Sequence, residues 1–461
     1  MDTQRAPAMS FPLFPLLFSL ILLPFFSDAQ TIVGNITTGA SLTAAENNSS
    51  SWISPSGDFA FGFRKLNNSQ NLFLLAIWYD KIPEKTLVWY ANGDNPAPLG
   101  SKLQLYADKG LVLSSPQGEQ LWSSEIRDGA LVNGGLMDGN GNFMVLGSNS
   151  TLWESFKFPV DTILPTQILD KGMVVSAKQS ETSFAMGRSR LVFQSDGNLV
   201  LTTINLPSEH LNEPYYATGT AAGASSSPGV RFVFNESGYL FVSRENGEIY
   251  LLTQRIPASA KDFYFRATVD FDGVFALYSH PKSASNGSDA KWTSVWFVPD
   301  NICTASLVSA SSGVCGFNSI CSLDDDGRPT CACPKGYSLI DPNNKYGDCR
   351  PNFTLSCGDE QPGVPAEDLY DFEVLINVDW PLADYALLEP FTENQCRNSC
   401  LHDCMCSVAI FRLGDKCWKK KLPLSNGRVD PGLDGGKALL KFRKGPYIPC
   451  QRNKNKRDGT V

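Results

Sequence analysis

The sequence predicts a mainly β protein whose C-terminal third is held by covalent staples, and three observations carry that reading. All 13 cysteines fall within residues 303–461, and the 302 residues before them have none. The cysteine-free part runs as strand after strand, with no stretch of comparable length showing helical periodicity. Inside it one unit repeats, an aliphatic residue close before a tryptophan. A chain of 461 residues exceeds what one hydrophobic core organises, so several domains are expected.

At the N-terminus, Arg5 precedes an apolar run from Phe11 to Phe26, closed by Ser27-Asp28-Ala29. A spanning helix needs about 20 apolar residues, and this run is shorter and broken by prolines. A signal peptide over 1–29, cleaved after Ala29, is therefore expected in preference to a membrane anchor. Eight N-x-Ser/Thr sequons follow, at Asn35, Asn47, Asn48, Asn67, Asn149, Asn235, Asn286 and Asn352. On a secreted chain they are glycan acceptors and surface positions, with the overlapping Asn47 and Asn48 not both modified. The net charge of −8 argues against a nucleic-acid partner. No second apolar run is long enough for a membrane span. His210, His280 and His402 are too scattered for a metal or catalytic cluster, and no cofactor is expected.

Short apolar runs such as Leu111-Val112-Leu113, Phe143-Met144-Val145-Leu146 and Leu240-Phe241-Val242 are bounded by turn residues, as strands are. The repeated unit is Leu87-Val88-Trp89, Leu121-Trp122 and Leu152-Trp153, its tryptophans 33 and 31 residues apart. Three units of this kind suggest a pseudo-threefold β structure, each giving a small sheet and a tryptophan to a shared centre. Chance spacing in a generic sandwich is the alternative. A second set, Asp196-Gly197, Ser237-Gly238 and Asp272-Gly273, each places a glycine turn directly before an apolar strand. We read two tandem β domains, 30–157 and 158–298, meeting near Phe158-Pro159-Val160-Asp161.

Residues 299–350 hold Cys303, Cys315, Cys321, Cys331, Cys333 and Cys349 in a segment too short to bury a core of its own, so three bridges are expected in preference to a zinc site, for which the C-x2-C spacing is lacking. Residues 355–444 follow, where Cys396, Cys400 and Cys404 recur every four residues, a stripe along one helix face. Cys406 and Cys417 come next, and the run Lys419-Lys420-Lys421 reads as a solvated edge. Cys450 sits in a polar basic tail, 445–461, and leaves the count odd. It is free or intermolecular.

One row of side chains suggests binding. Gln194, Asp196, Asn198 and Val200 lie at two-residue intervals, so they emerge from one face of a strand. A carboxylate and two amides match the hydroxyls of a pyranose, while the aliphatic covers a C–H face. A polar strand edge feeding a glycine turn is the plainer reading. Catalysis finds no motif: there is no nucleophile elbow, zinc helix, nucleotide loop or kinase signature. Asp324-Asp325-Asp326 reads as a solvated loop.

The C-x-C pair Cys331/Cys333 before Pro334-Lys335-Gly336-Tyr337 resembles an EGF-like module. Longer motifs go further: Ser54-Pro55-Ser56-Gly57-Asp58-Phe59, Val88-Trp89-Tyr90-Ala91-Asn92, Leu152-Trp153-Glu154-Ser155-Phe156, and Cys404-Met405-Cys406-Ser407 through Cys417-Trp418-Lys419. Over residues 30 to about 444 the chain resembles the ectodomain of plant S-domain (G-type, bulb-type lectin) receptor-like serine/threonine kinases, most nearly those of grasses. The resemblance implies tandem bulb-lectin domains of the β-prism II kind, an EGF-like module over 299–350 and an α+β PAN/apple module over 355–444. It implies the disulfides Cys303–Cys321, Cys315–Cys331, Cys333–Cys349, Cys396–Cys417 and Cys400–Cys406; for the remainder Cys357–Cys404 is our own expectation. It also identifies Gln194, Asp196, Asn198 and Val200 with the family's sugar motif, in which Thr202 replaces a final tyrosine. The matching rows of the first domain, from Asp138 and from Tyr106, are eroded.

The family continues into a membrane helix and a kinase; after Lys444 this sequence has only Gly445-Pro446-Tyr447 and the tail. The expectation is a secreted, non-enzymatic protein that weakly recognises mannose-type glycans or glycoproteins in plant defence. Association with itself or with related receptors is a further expectation. A dimerisation scaffold or decoy without sugar binding, or a truncated gene model of a full receptor, are the alternatives.

Overall fold

The computed structural model describes residues 34–46, 50–67, 71–205, 208–223, 227–254, 259–283, 290–305, 313–353 and 364–445. The signal-peptide stretch, Asn47, Asn48, Asn286, Cys357 and Cys450 lie outside them.

Alternating apolar residues make the first unit. Phe59, Phe61 and Phe63 point inward from one strand, Phe73, Leu75, Ile77 and Tyr79 from its neighbour, and all are at most 4% exposed. These strands, Phe59–Lys65 and Leu72–Tyr79, pair with Ser51–Ile53 and Leu87–Tyr90 in an antiparallel sheet. A second sheet runs Gln120–Ser123, Gly110–Ser114, Lys102–Tyr106, Ser41–Thr43. A third runs Asn35–Ile36, Gly134–Met137, Phe143–Leu146, Thr151–Glu154. Their inner faces form one core, with Leu103, Leu105, Leu111, Leu113, Phe143 and Val145 fully buried.

The last strand of each sheet carries one tryptophan of the repeat. Trp89, Trp122 and Trp153 meet edge-on in a triangle, ring centroids 5.7 to 5.9 Å apart and planes at 73 to 74°. Each edge-to-face pair adds about 0.5–1.5 kcal/mol beyond burial. A polar residue two or three places after each tryptophan takes a backbone N–H of the adjacent apolar strand. Leu75 donates to Asn92 Oδ1 (2.8 Å), Leu111 to Ser124 Oγ (3.0 Å) and Phe143 to Ser155 Oγ (2.9 Å). The pseudo-threefold thus extends from the rings to the polar atoms that secure the strands.

The second unit repeats the plan with three sheets, built around Phe263–Val269 with Phe275–Pro281, Gly229–Phe234 with Leu240–Arg244, and Met186–Phe193 with Leu199–Asn205. Its last strands carry Trp296, Tyr250 and Tyr216, half-buried against the core. Thr218 and Thr253 take the N–H of Leu199 and Leu240, as Ser124 and Ser155 do in the first unit. The two prisms pack together. Tyr79 donates to Phe265 O (2.7 Å), Tyr264 to Asp58 Oδ1 (2.6 Å) and Trp292 to Thr86 Oγ1 (2.8 Å).

Three features mark the cysteine-rich third, the last two of them departures from the sequence reading. First, residues 313–353 and 364–445 share a core. Tyr337 and Cys349 cluster with Trp380, Val408, Ile410 and Leu440, and Ile320–Leu323 pairs in parallel with Arg428–Val429. Trp380, fully buried, donates to Ser319 O across this junction (3.0 Å). Second, the helix spans Glu393–Leu401, so Cys396 and Cys400 lie on it and Cys404 does not. Thr392 and Gln395 form a capping box at its start, while Lys441 Nζ donates to carbonyls at its end, Cys400 O and Leu401 O (3.3 and 3.0 Å). Third, the lysine run is not a solvated edge. Lys419 and Lys420 are 8% and 1% exposed, leaving Lys421 outside. Lys420 Nζ meets Asp379 (3.0 Å) and Asp384 and donates to Trp380 O (2.9 Å), and Lys419 meets Asp403. Carboxylates on neighbouring segments, of which Asp379 is itself buried, are invisible to a local reading and draw the ammonium groups inward.

Candidate binding site

The row Gln194–Val200 starts in a turn. Gly197, at φ +89°, donates to Gln194 O (3.0 Å), and Gln194 N–H bonds Asn198 O (2.8 Å), reversing the chain before the strand begins at Leu199. The expectation that all four side chains leave one strand face is therefore corrected: Gln194, Asp196 and Asn198 belong to the turn. Asp196 is exposed and Gln194 half-buried. Asp196 Oδ1 accepts from the Asn198 N–H (2.9 Å). The Asn198 carboxamide oxygen is already engaged, by Thr218 Oγ1 (3.1 Å) and the Thr220 N–H (3.2 Å).

Val200 and Thr202 lie further from solvent, 1% and 2% exposed. The chain returns along this strand as Tyr216–Ala217 and His210–Leu211, and Thr202 Oγ1 donates to Asn212 O (2.6 Å). The fold thus presents Gln194 and Asp196, uses Asn198 to tie the turn to its neighbour, and covers Val200. Sequence spacing could not show this, because the covering strand is contributed from a dozen or more residues downstream.

The first-prism counterpart is also committed to structure. Asp138 Oδ1 accepts from Asn140 and Asn142 N–H (2.9 and 2.8 Å), and burial raises the Asp138 pKa despite them. Asn142 is 6% exposed, donates to Glu154 Oε2 (2.8 Å) and accepts from Ser155 Oγ and Phe156 N–H.

A feature missed at the sequence level is the space over the tryptophan triangle. A cleft of about 470 Å³ is lined by Trp89, Trp122, Trp153 and Phe158, with Gln120 and Glu125 among its polar groups. Phe158 stacks on Trp153 (5.7 Å, 9°), and Trp89 Nε1 donates to Phe158 O (2.8 Å). The signal was available: Phe158-Pro159 directly follows the third repeat. A larger cleft, about 970 Å³, opens between the second prism and residues 324–346. Its floor is a fork of Arg328 onto Asp272 (2.6 to 2.9 Å), with a further bond to Asp270 (2.9 Å). Burial outweighs the arginine and holds the Asp272 carboxyl up at about 6.

Disulfides join Cys303 to Cys321, Cys315 to Cys331, Cys333 to Cys349, Cys396 to Cys417 and Cys400 to Cys406. Cys404 is disulfide-bonded too, and Cys357, its implied partner, lies outside the described residues. Asn35, Asn67, Asn149 and Asn352 are exposed, and Asn235 is half-buried. Among the described residues no group of three His, Cys, Asp or Glu is placed to hold a metal, and no helix is long and apolar enough to cross a membrane.

A family model described as D-mannose binding lectin matches residues 86–185. Over 93% of its length the chain is 40% identical to a G-type lectin S-receptor-like serine/threonine-protein kinase of Oryza sativa subsp. indica, covering 53% of that protein. It is 37% identical over 98% of its length to one of Arabidopsis thaliana, covering 55%. The chain therefore spans about half the length of the curated relatives it matches. Among solved structures, the fetuin-binding agglutinin of Scilla campanulata, a two-domain lectin, is 18% identical, over 55% of this chain and 94% of that one, with a TM-score of 0.21.

Proposed function

We propose, from the premise that the chain is related along 93% of its length to the G-type lectin S-receptor-like kinases, that it recognises carbohydrate or glycoprotein ligands outside the cell. The observation that supports this most is a coincidence of position. Residues 86–185, which match the D-mannose binding lectin model, contain all three tryptophans on which the first prism is centred. In this reading residues 299–350 and 355–444 are EGF-like and PAN/apple modules that stiffen the ectodomain, and catalysis is left to whatever a longer receptor carries.

Within the second prism, Gln194 and Asp196 offer an amide and a carboxylate to sugar hydroxyls, and Asn198 positions the turn that holds them. Each hydrogen bond contributes only ~0.5–1.5 kcal/mol net, so one such shallow site binds weakly and depends on multivalency. The test is a glycan array probed with the chain displayed multivalently. Binding to mannose-type glycans, diminished by Gln194→Ala and Asp196→Ala, supports the reading.

The burial of Val200 and Thr202 favours a second reading, in which the prisms are spacers and the ectodomain a protein-association scaffold. A blank array together with self-association in sedimentation would establish that one instead.

A further inference from the structure

A pocket of about 310 Å³ lies on the seam between the two prisms. Arg64 and Lys65 reach it from the end of the first-prism strand Phe59–Lys65. Lys178 and Arg266 reach it from the second-prism strands Val174–Lys178 and Phe263–Val269. Among the described residues none of these four forms an ion pair, although Lys178 and Arg266 lie near enough to buried Asp161 to act on its charge. In a chain of net charge −8, four cations outside any ion pair converge on one pocket. Burial already pulls the Arg64 pKa below its ordinary value.

The cationic groups are held in place. The Arg266 guanidinium lies over the rings of Tyr278 (4.2 Å) and Trp292 (4.9 Å) and donates to Thr268 Oγ1, while its Nε is buried without a hydrogen-bond partner. Lys178 Nζ lies 4.9 Å over the Phe184 ring and donates to Glu181 O (2.9 Å). The pocket's own carboxylates offset this charge only in part, Asp161 being buried beside Lys178 and Arg266. Asp270 is taken by Arg328 and Tyr278, buried Asp161 accepts from Thr162, and Glu84 is exposed. Thr86 and Thr268 line the same space, their hydroxyl oxygens accepting from Trp292 and Arg266.

We infer that this seam pocket binds an acidic saccharide, a uronic acid unit whose carboxylate sits among Arg64, Lys65, Lys178 and Arg266. Planar guanidinium forks suit a carboxylate, threonine hydroxyls suit ring hydroxyls, and aromatic faces suit the C–H face of a pyranose. The inference rests on the carbohydrate reading and deepens it, since it names a ligand class and a second place. Each prism supplies half the site, so neither prism alone would bind.

The test is calorimetric titration with trigalacturonate, its methyl ester and mannotriose. All variants are made in an Asn67→Gln background, because Asn67 lines the pocket and opens a sequon. Trigalacturonate binds, more weakly as salt is added, and the uncharged ester does not. Lys65→Glu and Arg266→Gln each weaken binding about tenfold, the scale of a lost charge-assisted hydrogen bond. Lys109→Glu, exposed on the first prism, leaves it unchanged. Lys65 is itself exposed, so its variant keeps the fold and the test decisive even if Arg266→Gln does not. Equal affinity for the ester, or no change on Lys65→Glu, overturns the inference. If trigalacturonate fails while mannose-type glycans still bind through Gln194, only this inference falls. If no glycan binds at all, the carbohydrate reading falls with it.

Discussion

Replacing Arg328 by methionine isolates what joins the second prism to the cysteine-rich third. The Asp272 side chain facing it is 4% exposed, and the guanidinium reaches both of its oxygens. Removing the arginine strands the carboxylate, but the loss is bounded because a stranded carboxyl can take up a proton. The Asp272 carboxyl is held at about 6, raised from 3.8 mainly by burial. A carboxyl raised on folding contributes stability that is fully present below about pH 4 and is lost as pH rises through its folded value of about 6. At about pH 7.5 the extra charge cost at Asp272 in the variant is therefore at most about 1.36 kcal/mol times about 1.5 units, or ~2 kcal/mol, while Asp270 keeps its hydrogen bond from Tyr278. The lost hydrogen bonds add ~1–2 kcal/mol at any pH, for a total of ~3–4 kcal/mol, within the range for a broken buried pair. At about pH 5 wild type and variant both carry a protonated Asp272, and only the ~1–2 kcal/mol remains. Urea unfolding followed by tryptophan fluorescence, disulfides intact, reads both values. A loss equal at the two pH values would refute the reasoning, as would an Asp272→Asn/Arg328→Met double variant no more stable than Arg328→Met at about pH 7.5.

Three further outcomes are expected. Lys420→Met should cost ~3–5 kcal/mol, because Asp379 is left without its buried ammonium partner; a loss under ~1 kcal/mol in the same assay would contradict the pairing. Ser124→Ala should cost ~1–3 kcal/mol by orphaning the buried Leu111 N–H, while Ser123→Ala, half-exposed and outside that bond, should stay within ~0.5 kcal/mol. Reduction with excess dithiothreitol should release residues beyond 303 to proteolysis and leave a protease-resistant β core of the two prisms, which contain no cysteine; wholesale digestion of the N-terminal part would show that the prisms depend on the stapled third.

Much of the fold was legible because it depends on local periodicity. Phe59, Phe61 and Phe63 alternate along one strand, and the spacing of Trp89, Trp122 and Trp153 announced three equivalent sheets before any coordinates. The helix in the cysteine-rich third was also legible, though its end was not. Cys404 keeps the four-residue rhythm of Cys396 and Cys400, yet the helix stops at Leu401, where a lysine forty residues on meets its carbonyls.

The candidate sites were legible only in their residue types. Composition and spacing determined that this is a β protein of repeated units followed by a cysteine-stapled segment, since side-chain period and cysteine placement are properties of the chain itself. Tertiary structure decided which polar groups remain free. Asn198 is spent on Thr218, Val200 is covered by a returning strand, and Lys420 is drawn inside by Asp379. Arg64 and Arg266, 202 positions apart, come to face one pocket because the two prisms abut there. Burial and charge pairing depend on what packs across a junction, and no window of neighbouring residues contains that information.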